Sequence, residues 1–139
     1  MNHNELVVRR AYQYAEDVDV TGWVGSFTED GTFTDNNISH TFRGWNELGW
    51  PVQSIARAFP DMHRELDQVY VVGNMVLVQL HLQGTFLHPW ERLDGTFISP
   101  TGKRQNTPTL DMFELVDGRI KRFDCYPMGT VRARQLGLN

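Results

Sequence analysis

The sequence is poor in the devices that staple or label many small proteins. It has one cysteine, Cys125, so no internal disulfide can form, and neither a Cys-x-x-Cys pair nor a His-Glu-x-x-His run offers metal ligands. No stretch approaches the roughly 18 consecutive apolar residues of a membrane span. The richest, Val69 to Leu82, is interrupted by Gly73, Asn74, Gln79 and His81, so no membrane partner is expected. Positive charge is also short. Against 17 Asp and Glu there are 13 Lys and Arg, a net charge of −4, and they are scattered; nucleic acid, which needs clustered cations to neutralise phosphates, is not an expected partner. The glycine patterns of dinucleotide and nucleoside triphosphate sites are missing, as is the Gly-x-Ser-x-Gly elbow of a serine nucleophile. No cofactor is therefore expected, and covalent catalysis is disfavoured. Met1-Asn2-His3-Asn4-Glu5 lacks the basic-then-apolar layout of a secretory leader, which makes the cytoplasm the expected compartment.

What is present is a chain of 139 residues, 40% apolar and 12% aromatic, enough to bury one core. Residues 1–139 read as a single domain. Over 4–18, Leu6, Val7, Ala11, Tyr14, Ala15 and Val18 recur at helical spacing. A second helical segment is expected over 21–27, capped by Thr21, then a turn at Thr28-Glu29-Asp30-Gly31 and a short strand, 32–35. Asn36 to Phe42 reads as a polar loop. A third helical pattern covers 45–59, kinked or started by Pro51 and ended before Pro60. Beyond Pro60 come strands at 62–72, 75–86, 104–115 and 119–126, joined in two places by hairpin turns at Gly73-Asn74 and Asp117-Gly118. The irregular segment 87–102 is either a long hairpin tip or a loop over a pocket mouth. Helices followed by long antiparallel strands predict an α+β fold, a curved sheet with about three helices on its concave face.

Alternation along 107–115 puts Asp111 on the face that carries Thr107, Thr109, Phe113 and Leu115. A carboxylate on an apolar face must be protonated, hydrogen-bonded or functional, because stranding its charge costs several kcal/mol. Asp35, at the end of the first strand, could return a second carboxylate to the same cavity. In Asp61-Met62-His63 two polar side chains share a strand face, with His81 on the next strand. Imidazole suits proton transfer near neutral pH, so His63 is a further catalytic candidate. Too few ligands accompany these histidines to predict a metal. The residues expected to line a pocket for a small hydrophobic substrate are Tyr14, Trp23, Phe59, His81, Trp90, Phe113 and Phe123.

Several of these segments together resemble the nuclear transport factor 2-like superfamily: Phe27 to Asp35, Phe59-Pro60-Asp61-Met62-His63, Pro100-Thr101-Gly102-Lys103, and Asp111-Met112-Phe113 continuing to Asp117-Gly118-Arg119-Ile120. Within it the chain is most similar to SnoaL-like polyketide cyclases, with ketosteroid isomerases as a neighbouring branch. The resemblance implies a cone-shaped sheet open at one end and a homodimer formed through the sheet's outer face. In SnoaL-like cyclases an aspartate on the late strand is the acid/base of an intramolecular aldol closure, and Asp111 matches it. In ketosteroid isomerases, a worked example of such chemistry, one aspartate is the base and a second, protonated, shares an oxyanion with a tyrosine. Asp35 falls at the base position without a gap, and Asp111 at the protonated-donor position if the following turn is one residue shorter. The donor tyrosine falls at Ala11, next to Tyr12 and three residues before Tyr14, which predicts an incomplete oxyanion site.

The expected activity is cofactor-independent proton transfer next to a carbonyl, leading to cyclisation, isomerisation or dehydration, with Asp35 or His63 moving the proton and Asp111 donating to the enolate oxygen. Two alternatives stand beside it. One is an epoxide hydrolase-like enzyme, which would need Arg104 or Arg122 turned inward beside Asp111. The other is a non-catalytic binding domain of the same fold.

Overall fold

The computed structural model describes residues 1–138. Helix α1 (His3–Glu16) opens on Asn2, whose side-chain oxygen accepts the Asn4 and Glu5 N–H groups at 2.9 and 3.2 Å. It buries Val8, Ala11, Tyr12 and Ala15. The buried stripe is thus rotated from the one expected, bringing Tyr12 inward where Tyr14 was predicted. Helix α2 (Val20–Gly25) is capped by Asp19, which accepts from the Gly22 N–H at 3.0 Å, rather than by Thr21.

Strand β1 (Phe27–Asp35) is longer than expected, because the turn-like Thr28-Glu29-Asp30-Gly31 is an irregularity inside it, between Phe27 and Thr32. Gly31 permits this: a side chain there would meet the carbonyl oxygens of Thr28 and Ile120 at 3.0 and 3.1 Å. The supposed loop 36–42 turns back into a strand, β2 (His40–Arg43), paired with β1. Short helix α3 (Gly44–Glu47) precedes α4 (Trp50–Ala58), which has Pro51 in its first turn, where a missing N–H costs nothing.

Strands β3 (His63–Val72) and β4 (Met75–Thr85) form the first long hairpin. A tiny one, β5 (Trp90–Glu91) with β6 (Phe97–Ile98), gives segment 87–102 its structure. Strands β7 (Arg104–Val116) and β8 (Arg119–Pro127) follow, turning through Asp117 and Gly118, both left-handed. A last helix, α5 (Gly129–Leu136), was not anticipated. The main sheet is mixed and six-stranded, in the order β2-β1-β8-β7-β4-β3. It is antiparallel except where β1 runs parallel to β8.

The inner face of this curved, unclosed sheet carries the core. Phe113 stacks on Phe123 and Phe123 on Phe33, at centroid separations of 4.3 and 4.4 Å, a ladder across β7, β8 and β1. Val76, Val78, Leu80 and Leu115 extend it, and α1 lies against β3, β4 and β8. Burial follows the alternation read for 107–115: Thr107, Thr109, Asp111, Phe113 and Leu115 all face inward. Among the described residues no helix is long and apolar enough to cross a membrane.

Candidate active site

Between the sheet, α4, α5 and the β5–β6 hairpin lies a cavity of about 550 Å³, within the range of sites for drug-sized ligands. Its polar wall is set by strand register. Asp111 pairs with Cys125 across β7 and β8, and Cys125 pairs with Asp35 across β8 and β1, so the three side chains form one row. Two strand spacings put the carboxylate-bearing backbones about 10 Å apart. The phenylalanine ladder is the adjacent row, two residues along each strand.

Asp111 is 2% exposed, and the Tyr12 hydroxyl donates to its Oδ2 at 2.7 Å. Its other oxygen, Oδ1, is buried without a partner. Burial pushes the carboxyl up from 3.8 to about 6, against the Tyr12 hydrogen bond, the Cys125 thiol and the Arg64 guanidinium, which all favour the anion. Burial and the neighbouring Asp111 hold Tyr12 well above its ordinary value, so it stays a hydrogen-bond donor. Cys125 is likewise pushed up by burial and then by the Asp111 and Asp35 charges. A thiol that resists ionisation is no nucleophile.

Arg64, on β3, lines the same cavity with a buried Nη1 that has no partner. Its backbone N–H donates to Glu16 at 2.6 Å, tying β3 to the end of α1. Arg132, on α5, also lines the cavity, as does the exposed Arg92 of the β5–β6 hairpin; Arg132 is 8% exposed and lies over the Trp90 ring. Asp35 accepts from the Asn37 N–H at 2.9 Å.

Of the predicted residues, Asp111, Asp35, Trp23, Trp90 and Phe123 line this cavity. His63 does not. It stands outside, half-exposed, with Glu16 at 3.1 Å and Glu65 at 2.8 Å. The cause is an irregularity in β3: Leu66 pairs with Leu80 and Gln68 with Gln79, leaving Asp67 as an extra residue. Alternation counted back from the inward Val69 would put His63 inside; the extra residue reverses it and turns Arg64 in. His81 is also on the outer face, bonded to Asp67 at 2.6 Å. Phe59 is buried beside the cavity, stacked with Phe86 at 5.3 Å, and Phe113 lies behind Phe123. Tyr14 lies over Gly22, so close that any side chain at 22 would strike its ring. Asp61 is spent on the backbone N–H and hydroxyl of Thr85, at 2.7 and 2.9 Å. Arg104 and Arg122 face solvent near Asp61 and Asp124, at 3.7 and 3.3 Å.

The missed residues are Tyr12, Arg64, Cys125 and Arg132. For Tyr12 and Cys125 a signal existed. Tyr12 adjoins the position the resemblance marked for a tyrosine, and Cys125 shares the alternating face of Phe123. The cavity thus gathers Asp35, Asp111, Arg64, Arg132, the Tyr12 phenol and the Cys125 thiol among apolar walls, with Glu91, Arg92 and Asp94 of the β5–β6 hairpin also lining it.

The description of the SnoaL-like domain family matches residues 8–123. No curated protein is similar enough to match. Among solved structures, a candidate SnoaL-like polyketide cyclase from Jannaschia sp. CCS1 superposes with a TM-score of 0.85 at 18% identity, over 99% of this chain and 93% of that one. IdmH, a candidate polyketide cyclase from Streptomyces antibioticus, gives 0.78 at 20% identity, over 98% and 99%. A hypothetical protein with a ketosteroid isomerase-like fold from Catenulispora acidiphila DSM 44928, in complex with trimethylamine, gives 0.77 at 16% identity, over 96% and 93%. At these identities the likeness establishes the fold, which is the ketosteroid isomerase-like, nuclear transport factor 2-like one.

Proposed function

The chain belongs to the SnoaL-like domain family, and from that premise we propose that it is a cofactor-independent acid/base enzyme acting on a small hydrophobic carbonyl compound, with Asp111 carrying the proton. The observation that supports this is the Oδ1 of Asp111, an acceptor buried in the cavity wall that no well-formed hydrogen bond occupies, with only the weakly donating Cys125 thiol beside the carboxyl. A group poised near 6 can take a proton and give it back close to neutral pH.

In the proposed reaction Oδ1 removes a proton from the carbon next to a carbonyl, and the electron pair moves onto the carbonyl oxygen. The Arg64 guanidinium, whose Nη1 is unpaired, offsets the developing negative charge in a setting too dry for water to screen it. The enolate carbon then attacks a second carbonyl of the same molecule, or is reprotonated elsewhere on its skeleton. Asp111 returns the proton to the alkoxide or carbon so formed. Tyr12 holds the carboxylate in place through Oδ2, leaving Oδ1 to work. Asp35 is the second carboxylate of the row.

The test is deuterium uptake from D2O at the carbon next to the carbonyl of 2-tetralone, followed by proton NMR. Asp111→Asn should cut the protein-dependent rate at least about 100-fold, the usual scale of general acid/base catalysis, with folding intact by circular dichroism. A variant that exchanges as fast as the wild type would refute the role of Asp111.

Water addition to an epoxide is the second reading, favoured by one observation: Arg64 lines a cavity with both Asp35 and Asp111. Incorporation of 18O from labelled water into a diol product would select it over enolisation.

A further inference from the structure

Arg132 lines the cavity and yet has no part in the proton transfer above. Its environment is unusual for an arginine. The guanidinium carbon sits 5.0 Å over the Trp90 ring. Among the described residues it has no side-chain hydrogen bond and no carboxylate oxygen within 4.0 Å. Asp35, the acid whose charge it feels most, has one oxygen committed to the Asn37 N–H. Guanidinium keeps its proton in proteins and carries five donors, and these open into the cavity without a protein acceptor, unlike the sealed Nη1 of Arg64.

The side chain cannot readily escape to water, because its helix is fastened on both sides. Gln135 exchanges two hydrogen bonds with the backbone of Asn106, at 2.7 and 3.0 Å, and the Met128 N–H donates to Pro108 at 3.0 Å. Left-handed Gly137 closes the helix. The cation–π contact with Trp90 holds the planar group in the cavity wall, and its unpartnered N–H donors suit a flat, two-oxygen acceptor. A purely structural arginine would end on a carbonyl or carboxylate of the protein. This one ends in the cavity.

We infer that Arg132 is the receptor for a carboxylate on the substrate, so that the compound taken by this cavity is an apolar carbonyl compound bearing one carboxylate. That assignment rests on the cavity being the substrate site. Singly charged carboxylate is favoured over a phosphate because Asp35 and Asp111 share the cavity and would repel a dianion. The apolar remainder would lie against Trp23, Phe123, Ile55 and Leu82.

The experiment is isothermal titration of the wild type, Arg132→Gln, Arg132→Lys and Arg64→Gln with 2-naphthoate and with its neutral isostere 2-naphthamide, at fixed pH and salt. The wild type should bind the acid at least about tenfold more tightly than the amide, as a charge-assisted bidentate pair would give. Arg132→Gln should bring the ratio to about one. Arg132→Lys keeps the charge but loses the planar fork, and should cut the ratio at least about threefold; it decides the matter if Arg132→Gln does not fold. A wild-type ratio near one overturns the inference. So does a ratio unchanged by either Arg132 substitution, or one abolished by Arg64→Gln but kept by Arg132→Gln. Binding is read without turnover. A protein that prefers naphthoate but exchanges no tetralone protons therefore sinks the acid/base proposal alone, and one that exchanges protons without preferring naphthoate sinks this one alone.

Discussion

Replacing Asp111 by asparagine should make the protein more stable, and increasingly so as the pH rises. In the folded chain this carboxyl is 2% exposed with one oxygen unpartnered, and it titrates at about 6 rather than 3.8. Between those two values the folded state holds a proton that the unfolded state has released. Stability therefore falls as the pH climbs through that window, and the full loss is in place above about 6. The displacement is worth about 3 kcal/mol, at 1.36 kcal/mol per pH unit. The amide of the Asp111→Asn variant would keep an acceptor for Tyr12 but has no charge to bury. The variant's stability relative to the wild type should thus rise by about 2 kcal/mol of this between pH 4 and pH 8, the unfolded carboxyl being already more than half ionised at pH 4. Urea unfolding followed by tryptophan fluorescence at several pH values measures this directly, since groups common to both proteins cancel in the difference. A difference independent of pH would mean that Asp111 is not held in an environment hostile to its charge, and the proposed proton carrier would lose its tuning.

Tyr12→Phe removes the 2.7 Å hydrogen bond that favours the Asp111 anion, so the carboxyl should titrate higher still. The acid limb of the rate profile for tetralone exchange should move up in pH with it; an unmoved limb would show that another group controls it. His63→Asn should leave exchange activity intact, because the imidazole stands outside the cavity between Glu16 and Glu65. It should lower stability by less than about 1 kcal/mol, as exposed pairs do. His63 titrates above 6.5, so that loss should be present below pH 6.5 and vanish as the pH rises through the folded value; a thermal melt series resolves it. Cys125 should react with 5,5′-dithiobis(2-nitrobenzoate) only slowly in the native protein, and fast in urea, because the thiol is buried and raised beside two carboxylates. Rapid native labelling would contradict the geometry of the row.

The four long strands were legible because each carries apolar residues at alternate positions between strong turn signals, and the inward face of β7 could be read residue by residue. Asp111 stood out for the same reason: a charged side chain at an apolar phase of the pattern. Helix α1 was harder. Leu6, Val7 and Tyr14 are as apolar by type as Val8 and Tyr12, and only the sheet beneath chooses which stripe is buried. The parity of the first half of β3 could not be read at all, because one extra residue at Asp67 inverts it and no glycine marks the place. Arg64 consequently drew no notice, and His63 looked like a cavity base. Arg132 was invisible for a different reason. Its helix has weak apolar periodicity and docks through Gln135 and Asn106 rather than through a hydrophobic stripe.

The surplus residue at position 67 is a phase shifter between two halves of one strand. Deleting it would leave Leu66 on Leu80 and Gln68 on Gln79 as consecutive pairs of an unbroken ladder, so the guanidinium of 64 would stay indoors and the imidazole of 63 outdoors. Only the local kink and the Asp67 contact to His81 would go. A lineage built on this scaffold could therefore lose that codon in frame and keep the same cation in the wall.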